Sequence, residues 1–294
     1  MDKLLVIGGS GLLGSKVLEM GIDKYEIYST YSTHKIPGKD NLRLDVTDRN
    51  DVASTIEQIK PDFVIDTHAL HNVDYCELHK EEAWNVNVDG TRNVAEASKL
   101  AGAKYVFIST DYVFDGKKLD YTEKDKPNPL NYYAMTKLVA EEMLDILSVN
   151  HITIRTSVVY GKGGLGKTPF VLWLCEKLRN RETVSIVADQ HNNPTLVDSV
   201  VESIFRLFKN DSTGLFHVTG SECLSRYNFS IHIANKFGLD TKLIKMVTTP
   251  QLNQVAKRPE KVKINTGKVE RITGLKMLSV DQGLDILKKQ LVNG

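Results

Sequence analysis

The sequence predicts an α/β fold: one doubly wound parallel sheet, with a smaller C-terminal lobe. Two observations carry this. Short apolar runs rich in β-branched and aromatic residues alternate with longer segments of helical periodicity from the first residues onward. Such alternation calls for a parallel sheet covered by helices on both faces. A glycine-rich turn, Gly8-Gly9-Ser10-Gly11-Leu12-Leu13-Gly14, joins the first apolar run to the first helical segment. Strand, glycine turn and helix in that order mark a Rossmann-type sheet.

Taken in order, residues 4–7, 25–28, 63–65, 105–108 and 152–156 read as buried strands. Residues 12–20, 52–59, 84–101 and 133–147 read as the helices between them. Beyond Gly161 the pattern loosens into loops at 161–167 and 191–194, helices at 170–179, 196–208 and 227–237, and short strands at 184–187 and 215–218. A helix at 280–291 closes the chain. We expect a dinucleotide-binding Rossmann domain over residues 1–160. Residues 161–294 are then mainly a substrate-binding lobe, with segments returning to the first domain.

Hydrophobic residues make up 41% and charged residues 26% of the 294, the profile of a globular domain. The formal net charge of +1 argues against bulk nucleic-acid binding and against a polybasic membrane patch. No apolar run approaches a membrane span, and the opening residues enter a strand directly, so no leader is expected. Cys76, Cys175 and Cys223 form no CxxC pair, so neither a zinc site nor a disulfide framework is expected, and a reducing cytoplasm is the default. The histidines lack HxxxH or HExxH spacing, and no metal site is expected. His217 reads as a strand-end structural residue.

The glycines have a physical purpose. Gly8 makes the tight turn, Gly11 lets the backbone approach a pyrophosphate, and Gly14 lets helix and strand pack closely. The helix that follows offers free N–H groups and a positive dipole end to phosphates. An acid at the end of the second strand commonly bonds the ribose of NAD. The stretch here is Ser29-Thr30-Tyr31-Ser32-Thr33-His34-Lys35, with no acid. Ser32, Thr33 and Lys35 could instead bind a 2′-phosphate, which favours NADP(H) over NAD(H).

Tyr133 and Lys137 stand in a YxxxK pattern on one helical face. A phenol ordinarily titrates near ~10, and a neighbouring cation favours its ionised form. Tyr133 could then protonate a carbonyl oxygen while hydride arrives at carbon, and Lys137 could also hold the nicotinamide ribose. Thr110 follows the 105–108 strand, at the edge where open α/β sheets bind ligands. Its hydroxyl could stabilise developing alkoxide charge.

With these motifs in register, the chain resembles the dTDP-4-dehydrorhamnose reductase family of extended short-chain dehydrogenases. The most specific match is Ile108-Ser109-Thr110-Asp111-Tyr112-Val113-Phe114-Asp115-Gly116, continuing through Tyr121, Glu123, Asp125, Pro127, Pro129 and Asn131 to Tyr133 and Lys137. Leu44-Asp45-Val46, Arg155-Thr156-Ser157, Asn193-Pro194-Thr195 and Arg258-Pro259 also match. The resemblance implies reduction of a 4-keto nucleotide sugar by NADPH or NADH. It places Gly11, Leu12 and Leu13 at the pyrophosphate, with Gly8, Ser10 and Gly14 also at the cofactor, Asp45 and Val46 at adenine, and His68, Ala69 and Leu70 along the cofactor. Thr110, Asp111, Tyr112 and Arg258 would meet the substrate. A homodimer is left open. Val158 and Pro169 depart from the family pattern, which leaves the sugar and nucleotide open; Ala134 and the Asp66-Thr67-His68-Ala69 loop also depart from it, beside the core chemistry.

The chain also resembles the regulatory β subunit of methionine adenosyltransferase, which implies a non-catalytic, NADP-binding alternative. A nucleotide-sugar epimerase or dehydratase is a third. Finally, Gly161-Lys162-Gly163-Gly164-Leu165-Gly166-Lys167-Thr168 fits the P-loop pattern GxxxxGK[ST]. It falls after a βαβ series that already has a phosphate loop, and Pro169 removes a donor where the cradle would need one. We expect no ATPase there; Lys162 or Lys167 could touch the substrate pyrophosphate.

Overall fold

A computed structural model of the chain describes residues 1–37 and 41–292. The first half runs β1 (Lys3–Ile7), α1 (Leu12–Gly21), β2 (Glu26–Tyr31), β3 (Leu42–Arg43), α2 (Arg49–Ile59), β4 (Phe63–Asp66), α3 (Val73–Leu78), α4 (Lys80–Trp84), α5 (Thr91–Leu100), β5 (Lys104–Thr110), α6 (Tyr132–Ile146) and β6 (His151–Thr156). The second runs β7 (Val159–Tyr160), α7 (Phe170–Arg179), β8 (Val184–Val187), β9 (His191–Asn192), β10 (Thr195–Leu196), α8 (Val197–Lys209), β11 (Gly214–His217), β12 (Leu224–Ser225), α9 (Arg226–Phe237), β13 (Ile244–Val247), α10 (Gly267–Thr273) and α11 (Val280–Val292).

Seven strands form one parallel sheet in the order β11-β6-β5-β4-β1-β2-β3. Strand order reverses between β1 and β4, and the crevice at such a switch point lies beyond the carboxyl ends of the strands. Central strands are apolar on both sides because both faces are covered: Leu4 and Val6 enter one core, Leu5 and Ile7 the other. The first core contains residues of α1, α8 and α10; the second contains residues of α2, α5 and α6. A third gathers α7, α9 and α11 around the β8–β13 pair. The C-terminal half therefore divides: α8, β11 and α10 extend the main sheet and its cover, while α7, α9 and α11 form a separate layer.

The helix expected over 84–101 is interrupted. Residues Asn85–Gly90 form a π turn before α5 begins. Gly90 sits so close to the next layer that a Cβ would lie 2.8 Å from Val46 Cγ2. The wider turn carries the fully buried Asn87, whose Oδ1 accepts from Leu70 N at 2.8 Å. Its Nδ2 donates to Leu70 O and Thr136 Oγ1, each at 3.1 Å. Asn87 thus ties the loop after β4 to the second turn of α6.

A buried ion pair joins α6 to β6. Arg155 donates to both oxygens of Glu141, with Nε at 3.0 and 3.1 Å and Nη2 at 2.5 Å, and Ser109 Oγ donates to the same carboxylate. Removing one member of a buried pair strands the other charge in a poorly solvating interior. Glu141→Leu should therefore lower unfolding stability by about 3 kcal/mol, read as a lower urea midpoint at unchanged slope. An unchanged midpoint would show that Arg155 finds water or another acceptor.

Candidate active site

The turn after β1 is shaped by what a side chain would strike. Gly8 has φ +79°, and a Cβ there would lie 2.9 Å from Thr67 Oγ1. A Cβ on Gly14 would come within 2.8 Å of Gly9 Cα, so α1 starts directly against the turn. Gly11 caps α1 without a side-chain bond, and the first turn carries no acid. The leading N–H groups are thus left for an external acceptor, which is what a dinucleotide's diphosphate requires.

A cleft of about 750 Å³ opens from this turn along the carboxyl edge of the sheet. Gly8, Ser10, Gly11, Leu12 and Leu13 line it, together with Ser32, Asp45 and Val46. His68 and Ala69 face it from the loop after β4, and Thr110, Asp111, Tyr112 and Tyr133 from β5 and α6. The side chains expected at the turn, at the second strand and at the sugar thus share one wall.

Asn131 sets Tyr133 in place. It caps α6, accepting from Ala134 N at 2.9 Å, and donates through Nδ2 to Lys257 O at 2.9 Å. Thr110 ends β5, and its Oγ1 accepts from Tyr112 N at 3.2 Å. Asp111 is buried, its carboxylate accepting from Ser157 Oγ at 2.7 Å and Asn192 Nδ2 at 2.6 Å. Burial raises its pKa against the pull of these bonds and of the nearby Arg226 charge.

Lys137 is not among the groups that act on the Tyr133 phenol. Burial pushes the phenol well up, and the Asp111 charge adds to this, while the Thr110 hydroxyl acts in the opposite sense. Lys137 is itself buried behind the wall, with Nζ 4.0 Å from the Phe107 ring centroid. Burial lowers its pKa to about 8, opposed by the charges of Asp66 and Glu141. Asp66 is buried too, accepting from Tyr105 Oη at 2.6 Å and pairing with His68 Nδ1.

Five expected residues lie off the wall: Lys137, Lys35, Leu70, Arg258 and Gly14. Lys35 is exposed beyond the end of β2. Leu70 is turned aside by the bonds of its backbone to Asn87. Arg258 Nη1 donates to Asp74 and to Ala256 O, and the residue does not line the cleft. Gly14 lies beneath the turn rather than on its surface, as its packing role requires. The P-loop-like segment does not enclose a nucleotide site of its own: Lys162 Nζ donates to Gln290 O at 3.0 Å, and Leu165 N donates to Ser10 O at 2.8 Å. His217 is fully buried against Phe114, and burial drops its pKa to about 3, so it is a neutral packing residue.

Arg226, at the start of α9, lines the cleft and was not anticipated. No short motif surrounds it, and only the tertiary fold brings α9 to β5. His34 and Gly166 reach the wall in the same way.

The family model described as RmlD substrate binding domain matches residues 2–292. The chain is 31% identical to dTDP-4-dehydrorhamnose reductase of Aggregatibacter actinomycetemcomitans over 289 residues, covering 94% of each. It is 27% identical to methionine adenosyltransferase 2 subunit beta of Bos taurus, over 92% of this chain and 82% of that one. The crystal structure of a dTDP-4-dehydrorhamnose reductase from Bacillus anthracis in complex with NADP superposes with a TM-score of 0.90, at 30% identity, covering 98% of this chain and 99% of the other. A family model spanning nearly the whole sequence, and relatives that share both its length and its fold, lead to one conclusion: the chain belongs to the dTDP-4-dehydrorhamnose reductase family.

Proposed function

We propose that this protein reduces the 4-keto group of a nucleotide sugar with NADPH, NADH being the second cofactor of the reading. The observation that carries it is the common wall shared by the glycine turn and by Thr110, Asp111 and Tyr133. The NADP-bound relative from Bacillus anthracis supports the cofactor. So does the absence of an acid among Ser32, Thr33 and His34, which line the cleft after β2.

When bound, the nicotinamide supplies hydride to the carbonyl carbon. Tyr133 gives its proton to the carbonyl oxygen, and Thr110 donates a hydrogen bond that steadies the growing negative charge. The raised phenol pKa keeps that proton in place at working pH. An alkoxide is a far stronger base than a phenolate, so transfer runs downhill even from an unactivated phenol. Lys137 follows one turn later on α6, and its positive charge would offset the negative charge left on Tyr133. Arg226 has no hydrogen-bonded or ion-paired partner for its guanidinium among the described residues and stacks 5.8 Å from the Phe170 ring. It is free to meet the diphosphate of the sugar nucleotide.

Purified protein mixed with a dTDP-4-keto-6-deoxy sugar and NADPH should oxidise the cofactor, seen as loss of the nicotinamide absorbance. Tyr133→Phe should slow turnover roughly 10²- to 10⁴-fold with NADPH affinity retained. NADPH binding without turnover, together with capture of a methionine adenosyltransferase, would favour the regulatory role of the bovine relative instead. Cofactor recycled without net oxidation would favour an epimerase.

Two further outcomes follow from the electrostatics. Lys137 carries its charge below about pH 8 and loses it above, so kcat/KM should fall on the alkaline side of that value. A profile flat to pH 10 would mean that the ammonium is not needed. Arg226→Gln should raise KM for the nucleotide sugar about tenfold, the loss of one charge-assisted contact, and leave KM for NADPH alone. An unchanged KM for the sugar would remove Arg226 from the substrate site.

A further inference from the structure

The P-loop-like segment has a place that its motif did not predict. Its base is fixed to the C-terminal layer: Lys162 Nζ donates to Gln290 O at 3.0 Å, and Gly161 lies so close to Val197 that a side chain would collide with it. From there residues 163–168 run exposed across the start of α1. Gly163 and Gly164 take φ of +119° and +80°. A Cβ on Gly163 would meet Ser15 Oγ at 2.7 Å, and one on Gly164 would meet Leu12 N at 3.0 Å. Leu165 N then donates to Ser10 O at 2.8 Å, and Gly166 reaches the cleft wall.

The segment therefore passes beside Leu12 N, the first of the N–H groups that the glycine turn leaves open. Among the described residues the wall of the cleft contains one arginine, Arg226, and no lysine. A dinucleotide diphosphate at α1 would find dipoles there, but no full positive charge beside it. Lys167 follows Gly166 directly and has no ion pair or hydrogen bond among the described residues.

We propose that residues 163–168 are a strap forming the outer wall of the cofactor's diphosphate site, with Lys167 as its counter-charge. This rests on the reading that the cleft takes NADP(H). Among the described residues the strap's tip is held to the turn by the Leu165–Ser10 bond, and one such backbone bond contributes on the order of 1 kcal/mol. The strap thus opens readily to admit cofactor and closes over the diphosphate once it is seated. It acts on the cofactor and not on the sugar nucleotide, because it packs on Ser10 and Leu12 rather than near Tyr133.

The test is a titration of the full chain with NADPH, read by calorimetry and by stopped-flow fluorescence, without substrate. Lys167→Ala should weaken binding about tenfold and flatten its salt dependence, and Lys167→Arg should restore most of the loss. Gly164→Val places a side chain against Leu12 on a backbone that disfavours one, and should speed NADPH release several-fold. Wild-type affinity and salt slope in Lys167→Ala, with normal release from Gly164→Val, would overturn the strap while the cofactor reading stands. A wild-type protein that binds no NADPH would sink the cofactor reading and the strap with it.

Discussion

The close approach of the α1 backbone to the turn after β1 is the contact on which the rest of the cleft depends. Gly8 and Gly14 let strand, turn and helix meet without a side chain between them. That approach aims uncapped N–H groups along the carboxyl edge of the sheet. The parallel register of β1, β4 and β5 then brings the loop after β4 and the end of β5 to the same edge. Thr110 and Tyr133 face the glycine turn because every strand between them ends on one side.

Around this edge the protein buries several ionisable groups, and each is answered locally. Asp111 has Ser157 and Asn192; Glu141 has Arg155 and Ser109; Asp66 has Tyr105 and His68. Buried charge without such partners would be neutralised or would unfold the region. Lys137 is the instructive case. Its Nζ lies over the face of Phe107, and the charges of Asp66 and Glu141 only partly offset the cost of its burial.

Much of this was legible in the sequence, where backbone geometry or local spacing leaves few alternatives. The glycines at 8, 11 and 14, the strands at the sheet centre and the Tyr133–Lys137 spacing are of that kind. The spacing put both side chains on one face of α6, but it could not say that Lys137 is sealed behind the wall. The interruption of the helix expected at 84–101 was not legible, because the π turn answers to Val46 and Leu70, which lie far away in the sequence. Arg258 matched a family position, yet Asp74, 184 residues earlier in the chain, holds it away from the cleft. Arg226 was missed for the converse reason: nothing nearby in the sequence marks it.

The π turn at Asn85–Gly90 also bears on how this scaffold could be engineered. Deleting one residue there would restore regular i to i−4 bonding, the sort of idealisation that often makes a helix sturdier. It would also swing Asn87 round the helix axis and release both Leu70 and Thr136. A more regular protein would then carry a looser lip at its cleft, and a thermostabilised variant built that way would trade affinity for robustness.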